Sequence, residues 1–547
     1  MSKFFLKIAV LVVLAVAVSV PPGAFAAQDD VIKELMERIN KLEKRLAERE
    51  AVEPKGVAAA PKADEKKVDF GGFIRTRYHV SNALSYGAGQ ILPPDESVPD
   101  ADDTANFFEQ RARLYISPKL NEYVTGNFAF EINYAWGNTA YDTAFLGGGG
   151  LMSDSVNIWT KNLNVVATIP NTNLTATVGI QNLKDAYNGI LLGWADAPGI
   201  NLNYKVSDNL NATLGYFRFW QVPIAGGYKQ STSADFVRGE IAYSPNKDLN
   251  LGFNLYALFD RTGSEAGTAG VLGGPAIGTT RNGFAPLSYN ASTGFESLVG
   301  NNVYSMNLYL PGVNFTYKRG NFDFDGFFIY EGGEYSSGTA GISDVDISSF
   351  AANLGVGTKV GPFNVKLSGL YVSGDDSDDN SSIGIKENGF YTPGSYSLAA
   401  AWMGLTGMKI LFPDIDGTIQ DQYLVYDVSN ILEQRPLGVA ALMLTGNTKL
   451  SPKTTLEAGL GVLWSAEDRR VNGENYMATE INAGVHHDVT KGLSVGLVGA
   501  VAFVGDFYDV SAAQAAAYNA ATTGNPVSTN LDPADIWRFT VRANYAF

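Results

Sequence analysis

No cysteine occurs anywhere in the chain. That excludes a disulfide scaffold, a thiolate zinc site, a cysteine nucleophile and any iron–sulfur or c-type haem attachment to this polypeptide. Charge is scarce as well: Asp, Glu, Lys and Arg make up 18% of the residues, where soluble domains carry about 25%. Basic residues are the minority among them, 40 Lys plus Arg against 56 Asp plus Glu, for a formal charge of −16. Such a balance offers no overall basic footprint for phosphates, so no nucleic-acid partner is expected. Histidine is limited to His79, His486 and His487, and the adjacent pair would point to opposite faces of a strand, which argues against a shared metal site. No GxxxxGK[ST], GxSxG or HExxH motif is present, and no enzyme activity is expected.

Long apolar runs are missing too, except at the start. Lys3 and Lys7 precede an apolar run from Ile8 to Val20, followed by Pro21, Pro22, Gly23 and the triplet Ala24-Phe25-Ala26. This is the pattern of a secretory signal peptide over residues 1–26, and the run is short of the roughly 20 apolar residues a membrane helix needs. The nearest later run, Leu398 to Leu411, is broken by Gly404 and Gly407. The exported chain is therefore either soluble in the periplasm or a transmembrane β-barrel.

Glycine and rings are plentiful: 59 Gly and 12% aromatics, within a 45% hydrophobic total, which excludes disorder for most of the chain. In residues 27–50 the apolar positions Ile32, Leu35, Ile39, Leu42 and Leu46 alternate spacings of three and four, as in the a and d seam of a short coiled-coil helix. Ile at a with Leu at d favours two strands by the usual rule; the alternative is an amphipathic helix resting on the following domain. Residues 51–67, rich in Ala, Pro and Lys, read as a linker.

From residue 68 to 547 the period becomes two. Val124, Gly126, Phe128, Phe130, Ile132, Tyr134 and Trp136 share one face, opposite Thr125, Asn127, Ala129, Glu131 and Asn133. The closing stretch places Trp537, Phe539, Val541, Ala543, Tyr545 and Phe547 opposite Arg538, Thr540, Arg542 and Asn544. Alternation alone suits a sandwich or a barrel. The connections decide: short ones such as Ser117 to Glu122, Ser244 to Asp248 and Lys318 to Asn321 alternate with long polar ones such as Asp260 to Asn302 and Asp506 to Pro533, the layout of an outer-membrane barrel with periplasmic turns. The expected fold is thus all-β, a transmembrane antiparallel β-barrel of about 18 strands, within 16–20. The strands begin near residues 68, 107, 123, 155, 174, 199, 210, 235, 249, 303, 322, 347, 363, 437, 455, 476, 493 and 535. The stretch Tyr396 to Arg435 reads as either an inserted loop or a further hairpin. A barrel of this size is too wide to be filled by its own side chains, so an aqueous channel follows unless something plugs it. Tyr134, Trp136, Tyr317, Tyr330, Trp464 and Tyr545 are expected in girdles at the two membrane interfaces.

Several stretches then carry a family likeness: Phe108-Glu109-Gln110-Arg111-Ala112-Arg113-Leu114-Tyr115, Phe130-Glu131, Trp136-Gly137, Asp154-Ser155-Val156-Asn157, Thr160-Lys161, Pro170-Asn171-Thr172 and Val178-Gly179-Ile180-Gln181. From Phe108 to about Trp220 the chain resembles the outer-membrane homotrimeric porins of anaerobic sulfate- and metal-reducing Gram-negative bacteria. The resemblance implies a homotrimer in outer-membrane lipid that passes small hydrophilic solutes. The ending Tyr545-Ala546-Phe547 similarly resembles the terminal-aromatic signal read by the barrel assembly machinery, and the N-terminal coil would then lie in the periplasm.

If the apolar face meets lipid, the other face lines the pore. Arg75 and Arg77 on the first strand, Arg111 and Arg113 on the second, and Arg538 and Arg542 on the last would come from three adjacent strands of a closed ring and form one basic wall. Glu109 and Glu131 lie on the same face, while Asp323 and Asp325 sit about halfway round. Opposed charge across a narrow channel favours anionic and dipolar solutes; the competing reading is that these charges simply pair with one another. Asp376, Asp378, Asn380 and Glu387 place oxygens at positions one, three, five and twelve of a loop, as in a calcium-binding loop, though Ser381 replaces the sixth-position Gly; the alternative is a solvated acidic loop. No other cofactor is expected. Two further functions compete with the channel: a sheath for a partner such as a multihaem cytochrome, and an envelope tether anchored by the barrel.

Overall fold

The computed structural model describes residues 67–82, 104–137, 158–193, 195–221, 233–261, 305–336, 345–375, 406–412, 437–469, 471–521, 529–530 and 533–547, with short pieces at 84–85, 91–92, 287–290, 295–298, 385–387, 431–432 and 435–436. The expected signal peptide, the coiled coil and all of the linker but Lys67 lie outside these residues, as do Asp376, Asp378 and Asn380.

Eighteen long strands form one closed ring. They are β1 (Lys67–Ser81), β2 (Ala105–Asn121), β3 (Val124–Ala135), β4 (Ile158–Thr168), β5 (Leu174–Leu183), β6 (Ala195–Ser207), β7 (Leu210–Gln221), β8 (Ser233–Asn246), β9 (Leu249–Asp260), β10 (Ser305–Arg319), β11 (Phe322–Ser336), β12 (Val345–Val360), β13 (Phe363–Val372), β14 (Val439–Ser451), β15 (Thr454–Trp464), β16 (Tyr476–Thr490), β17 (Leu493–Val504) and β18 (Ile536–Ala546). Each pairs antiparallel with its sequence neighbour, and β18 returns to β1 with Phe73 opposite Ala546 and Ser81 opposite Arg538. Closure leaves no strand edge among the eighteen, the state a sheet needs where no water can satisfy its backbone. Every strand starts within four residues of the position read from the alternation, and β1 takes Lys67 from the expected linker.

Among the described residues one strand departs from the antiparallel plan. Ile385–Glu387 pairs parallel with Val345 to Ile347 of β12. β12 is longer than β13, whose pairing reaches only from Val360 to Ala351, so the returning chain takes up backbone groups that β13 leaves open. The stretch from 396 to 435 adds no hairpin to the ring; its described parts are the segment 406–412 and the two-residue pairing of Ile431–Leu432 with Arg435–Pro436.

Local chemistry sets the short turns. Gly320, Gly361 and Gly492 hold φ of 61°, 59° and 83°, a region open to glycine without penalty. Elsewhere an asparagine does the work: Asn121 Oδ1 accepts the N–H groups of Tyr123 and Val124, and Asn246 Oδ1 those of Asp248 and Leu249. At the opposite rim the β17–β18 connection carries a turn at Asp506–Tyr508 and a helix, α1 (Ala512–Ala521). Ser511 and Gln514 cap α1 reciprocally, the Ser511 N–H donating to Gln514 Oε1 and the Gln514 N–H to Ser511 Oγ. Read by composition, this stretch is only a long polar loop.

The outer face is apolar between two belts of rings. Leu214, Phe253, Leu255, Leu354, Leu442 and Ile481 are each more than half or about half exposed on it. At the long-loop rim Phe108 stacks on Trp136 with centroids 4.6 Å apart, and Phe350 stacks on Tyr371 at 5.4 Å; near the short turns stand Tyr204, Tyr243, Tyr317 and Tyr545. Inside, the half nearest the long loops is packed with apolar side chains including Phe217, Phe236, Tyr256, Leu308, Ile329 and Val372, all at most 1% exposed.

Candidate functional site

β18, β1 and β2 are adjacent, so the six arginines do share one inner wall. The register sets Arg75 opposite Arg111 and Arg77 opposite Arg542, and like charges face to face repel. Carboxylates interleave to offset this. Glu131 on β3 accepts from Arg113 Nε at 2.8 Å and lies 3.6 Å from Arg111 Nε; Glu109 accepts from Arg77 at 3.2 Å. Arg111 also donates to Asn133 Oδ1 at 2.7 Å. Arg75 has no carboxylate partner among the described residues and lies 5.8 Å from the Phe73 ring centroid. Arg77 and Arg538 are buried, whereas Arg75, Arg111, Arg113 and Arg542 are half-buried along the lumen. Among the described residues, pairing along this wall is extensive, with two carboxylates, Glu109 and Glu131, interleaved among the arginines of β18, β1 and β2.

The seam where the ring closes is polar and buried. His79 Nδ1 lies 3.0 Å from Thr540 Oγ1 across it, and its Nε2 lies 3.2 Å from Glu109. On the other side of β18, Arg542 donates to His486 Nδ1 at 2.8 Å, and His486 Nε2 is 3.3 Å from Glu457, which is also 3.1 Å from Lys409 Nζ.

About halfway round, Asp323 and Asp325 lie on β11, each beside a lysine. Lys366 from β13 sits 2.8 Å from Asp325, and Lys318 is 3.6 Å from Asp323 near the short-turn rim. Lys366 offsets the Asp325 charge, the exposed Lys318–Asp323 pair is screened by solvent, and alternation within one strand does not reveal such neighbours.

Two of the described segments fold into the lumen. Residues 184–193, joining β5 to β6, wind around the buried Asp185: its Oδ1 accepts the N–H groups of Tyr187 and Gly189 at 2.7 and 2.8 Å, and its Oδ2 those of Leu191 and Leu192, both at 2.7 Å. Burial pushes the Asp185 carboxyl up and the four N–H donors pull against it, with a net rise. The loop reaches the wall through the Ala186 N–H, which donates to Tyr256 Oη at 2.9 Å, and through Tyr187, whose ring lies 5.7 Å from both Tyr256 and Phe327. Between this loop and β10, β11 and β13 opens a cleft of about 380 Å³ lined by Lys184, Asn188, Asn314, Thr316, Asp325 and Lys366.

The second segment, Thr406 to Phe412, lies on the other side of the lumen. Its Lys409 N–H donates to Glu480 Oε1 at 2.7 Å and its Ile410 and Leu411 N–H groups to Glu480 Oε2 at 2.9 Å. Arg538 donates to the Lys409 carbonyl at 2.7 Å and Asn482 to the Gly407 carbonyl at 3.1 Å. Arg538 thus faces backbone, and with Arg77 buried against Glu109 the half-buried arginines of this wall are Arg75, Arg111, Arg113 and Arg542.

No protein-family model matches the chain, and no curated protein matches it. Among solved structures, OccAB4 and OccAB1 of Acinetobacter baumannii align with 89% of this chain and with 100% and 98% of their own, at 13% and 12% identity and TM-scores of 0.45 and 0.47. OccK5 (OpdH) of Pseudomonas aeruginosa aligns with 88% of this chain and 98% of its own, at 11% identity and a TM-score of 0.44.

Of the calcium-loop positions only Glu387 falls among the described residues, in the short parallel strand, and no cluster poised to hold a metal occurs among the described residues. Asp185, Glu457, Glu480 and Lys366 were not singled out by sequence reasoning. For Asp185 a local signal exists, the turn sequence Asp185-Ala186-Tyr187-Asn188-Gly189; for Glu480 the only signal is a lone carboxylate at an inward register position.

Proposed function

We propose that this chain is an outer-membrane channel of a Gram-negative bacterium through which small hydrophilic solutes pass by diffusion. The observation that carries it is the closed eighteen-strand ring, apolar outside between two aromatic belts and lined inside by half-buried Arg75, Arg111, Arg113 and Arg542. An exposed apolar band of this extent is compatible with lipid and not with water, and an interior of ionised side chains needs a wet lumen. The excess of arginine favours anions and the negative ends of dipolar solutes along β18, β1 and β2. Passage needs no chemistry, and the chain is accordingly not an enzyme. The homotrimer, export by the 1–26 signal, handling by the barrel assembly machinery and a periplasmic coil belong to the same reading, supported by the family resemblance and the sequence pattern.

The two inward segments favour a restricted passage over a wide one, and they keep a second reading in view, a barrel that anchors or sheathes a partner and conducts little. Reconstitution in a planar bilayer separates them. The channel reading expects stepwise conductance and, in a salt gradient, a reversal potential on the anion side; a silent bilayer with correctly folded protein would overturn it.

A further inference from the structure

Glu480 is fully buried on β16, and a buried carboxylate persists only where donors surround it. Four do: the successive N–H groups of Lys409, Ile410 and Leu411, and Asn482 Nδ2 at 2.6 Å. Three come from the inward segment, whose consecutive N–H groups form a nest for one anion. The rest of its seating is shaped to match. Met408 lies in a groove over β15 where side chains are missing: a Cβ at Gly461 would stand 2.4 Å from Met408 Sδ, and one at Gly459 would stand 2.8 Å from Met408 Cε. Lys409 reaches Glu457, and Arg538 holds its carbonyl. From this anchorage Ile410, Leu411 and Phe412 extend into the apolar packing of the lumen with no exposed surface. Backbone held this far inside a barrel subtracts directly from the open cross-section.

Resting on the channel reading above, we propose that Glu480 is the positioning residue that latches segment 406–412 to the wall, and that the seated segment sets the width of the passage. Replacing Glu480 with Gln removes the charge and turns one acceptor into a donor facing the nest. The segment then loses its anchor while the ring of strands keeps every ladder hydrogen bond.

The absence of cysteine supplies the test. Met408→Cys in the full-length protein places a single thiol in the groove, and a small methanethiosulfonate reagent reads its access to water. Glu480→Gln in that background should raise the labelling rate by about tenfold or more, because the segment spends more time unseated. Single-channel conductance of the Glu480→Gln protein should rise about twofold, as a wider bore carries more ions. Adding the pair Met408→Cys and Gly461→Cys to Glu480→Gln should return conductance to the parent value on oxidation and release it on reduction. Should Glu480→Gln fail to fold, Gly461→Leu in the Met408→Cys background crowds both position 408 and Leu411, whose Cδ1 lies 3.2 Å from a Cβ at 461, and should give the same two changes. Unchanged labelling overturns the latch whether or not the barrel conducts. Faster labelling with unchanged conductance overturns the role in setting width. Faster labelling in a barrel that is silent with and without the substitution upholds the latch and overturns the channel reading on which its role in transport rests.

Discussion

The two described segments that enter the lumen solve one problem in opposite ways. Each must bring backbone N–H groups into a place without bulk water, and each satisfies them with one carboxylate. In residues 184–193 the carboxylate is the segment's own Asp185, with donors two to seven residues away. In residues 406–412 it is Glu480 on β16, 69 to 71 residues distant. The first is wound around an internal anion and needs the wall mainly for packing. The second has no internal anion and holds its course only while it is seated. A self-contained loop survives changes in the wall beneath it; a wall-held strap responds to them.

The sharpest way to break this contrast is at Asp185. Asp185→Ala leaves four buried N–H groups without an acceptor, each worth roughly 1–3 kcal/mol, and should collapse the loop and open the cleft it shares with β10 and β11. The temperature at which the folded barrel loses its compact gel mobility should drop, while labelling of a thiol at position 408 stays as it was. Asp185→Asn retains one acceptor oxygen and should fall by about half as much. Arg538→Met comes next: the Lys409 carbonyl loses its donor at a cost of roughly 1–3 kcal/mol, which should speed labelling at position 408 and leave the 184–193 loop intact. Equal disturbance of both segments would deny that they are independent. Arg111→Ser with Arg113→Ser should leave both segments seated and move the reversal potential toward cations by removing inward positive charge; an unmoved potential would refute the basic wall. The smallest effect is expected from Lys366→Met, which frees the Asp325 charge beside the cleft and should shift selectivity slightly in the same direction.

The sequence made the ring legible because its signal is local and repeated. Phe253 and Leu255 alternate with Asn254 and Tyr256 on β9, and Asn121 and Asn246 mark their turns within three residues. Alternation likewise put Arg75, Arg111 and Arg542 on the inner wall, since side-chain direction follows from residue parity once the outer face is known. What it could not reach was pairing across strands. Asp325 is neutralised by Lys366, 41 residues on, and Arg538 bonds a carbonyl 129 residues away. Segment 406–412 was obscure for a related reason. Its apolar residues pack inside the barrel rather than against lipid, so they break the period of two, and Gly407 at φ 68° ends any strand pattern. Helix α1 has a local Ser511 and Gln514 box, but a tract of alanine inside a long connection carries no apolar periodicity that marks a helix.

The seam between β18 and β1 has a kinetic meaning. The hydrogen-bonding contact of His79 with Thr540 joins residues 461 apart, and Ser81 Oγ donates to the Trp537 carbonyl across 456. Contacts of such separation are the slowest to form, since nearly all the chain's loop-closure entropy must be spent first. Hairpins such as β8–β9, and the contacts of Arg77 and His79 with Glu109 between β1 and β2, need only neighbouring strands, whereas the contact of His79 with Thr540 forms only when the cylinder shuts. Until the ring closes, the margins of β1 and β18 are open backbone edges, and closure satisfies those edges and the polar side chains of the seam in one step.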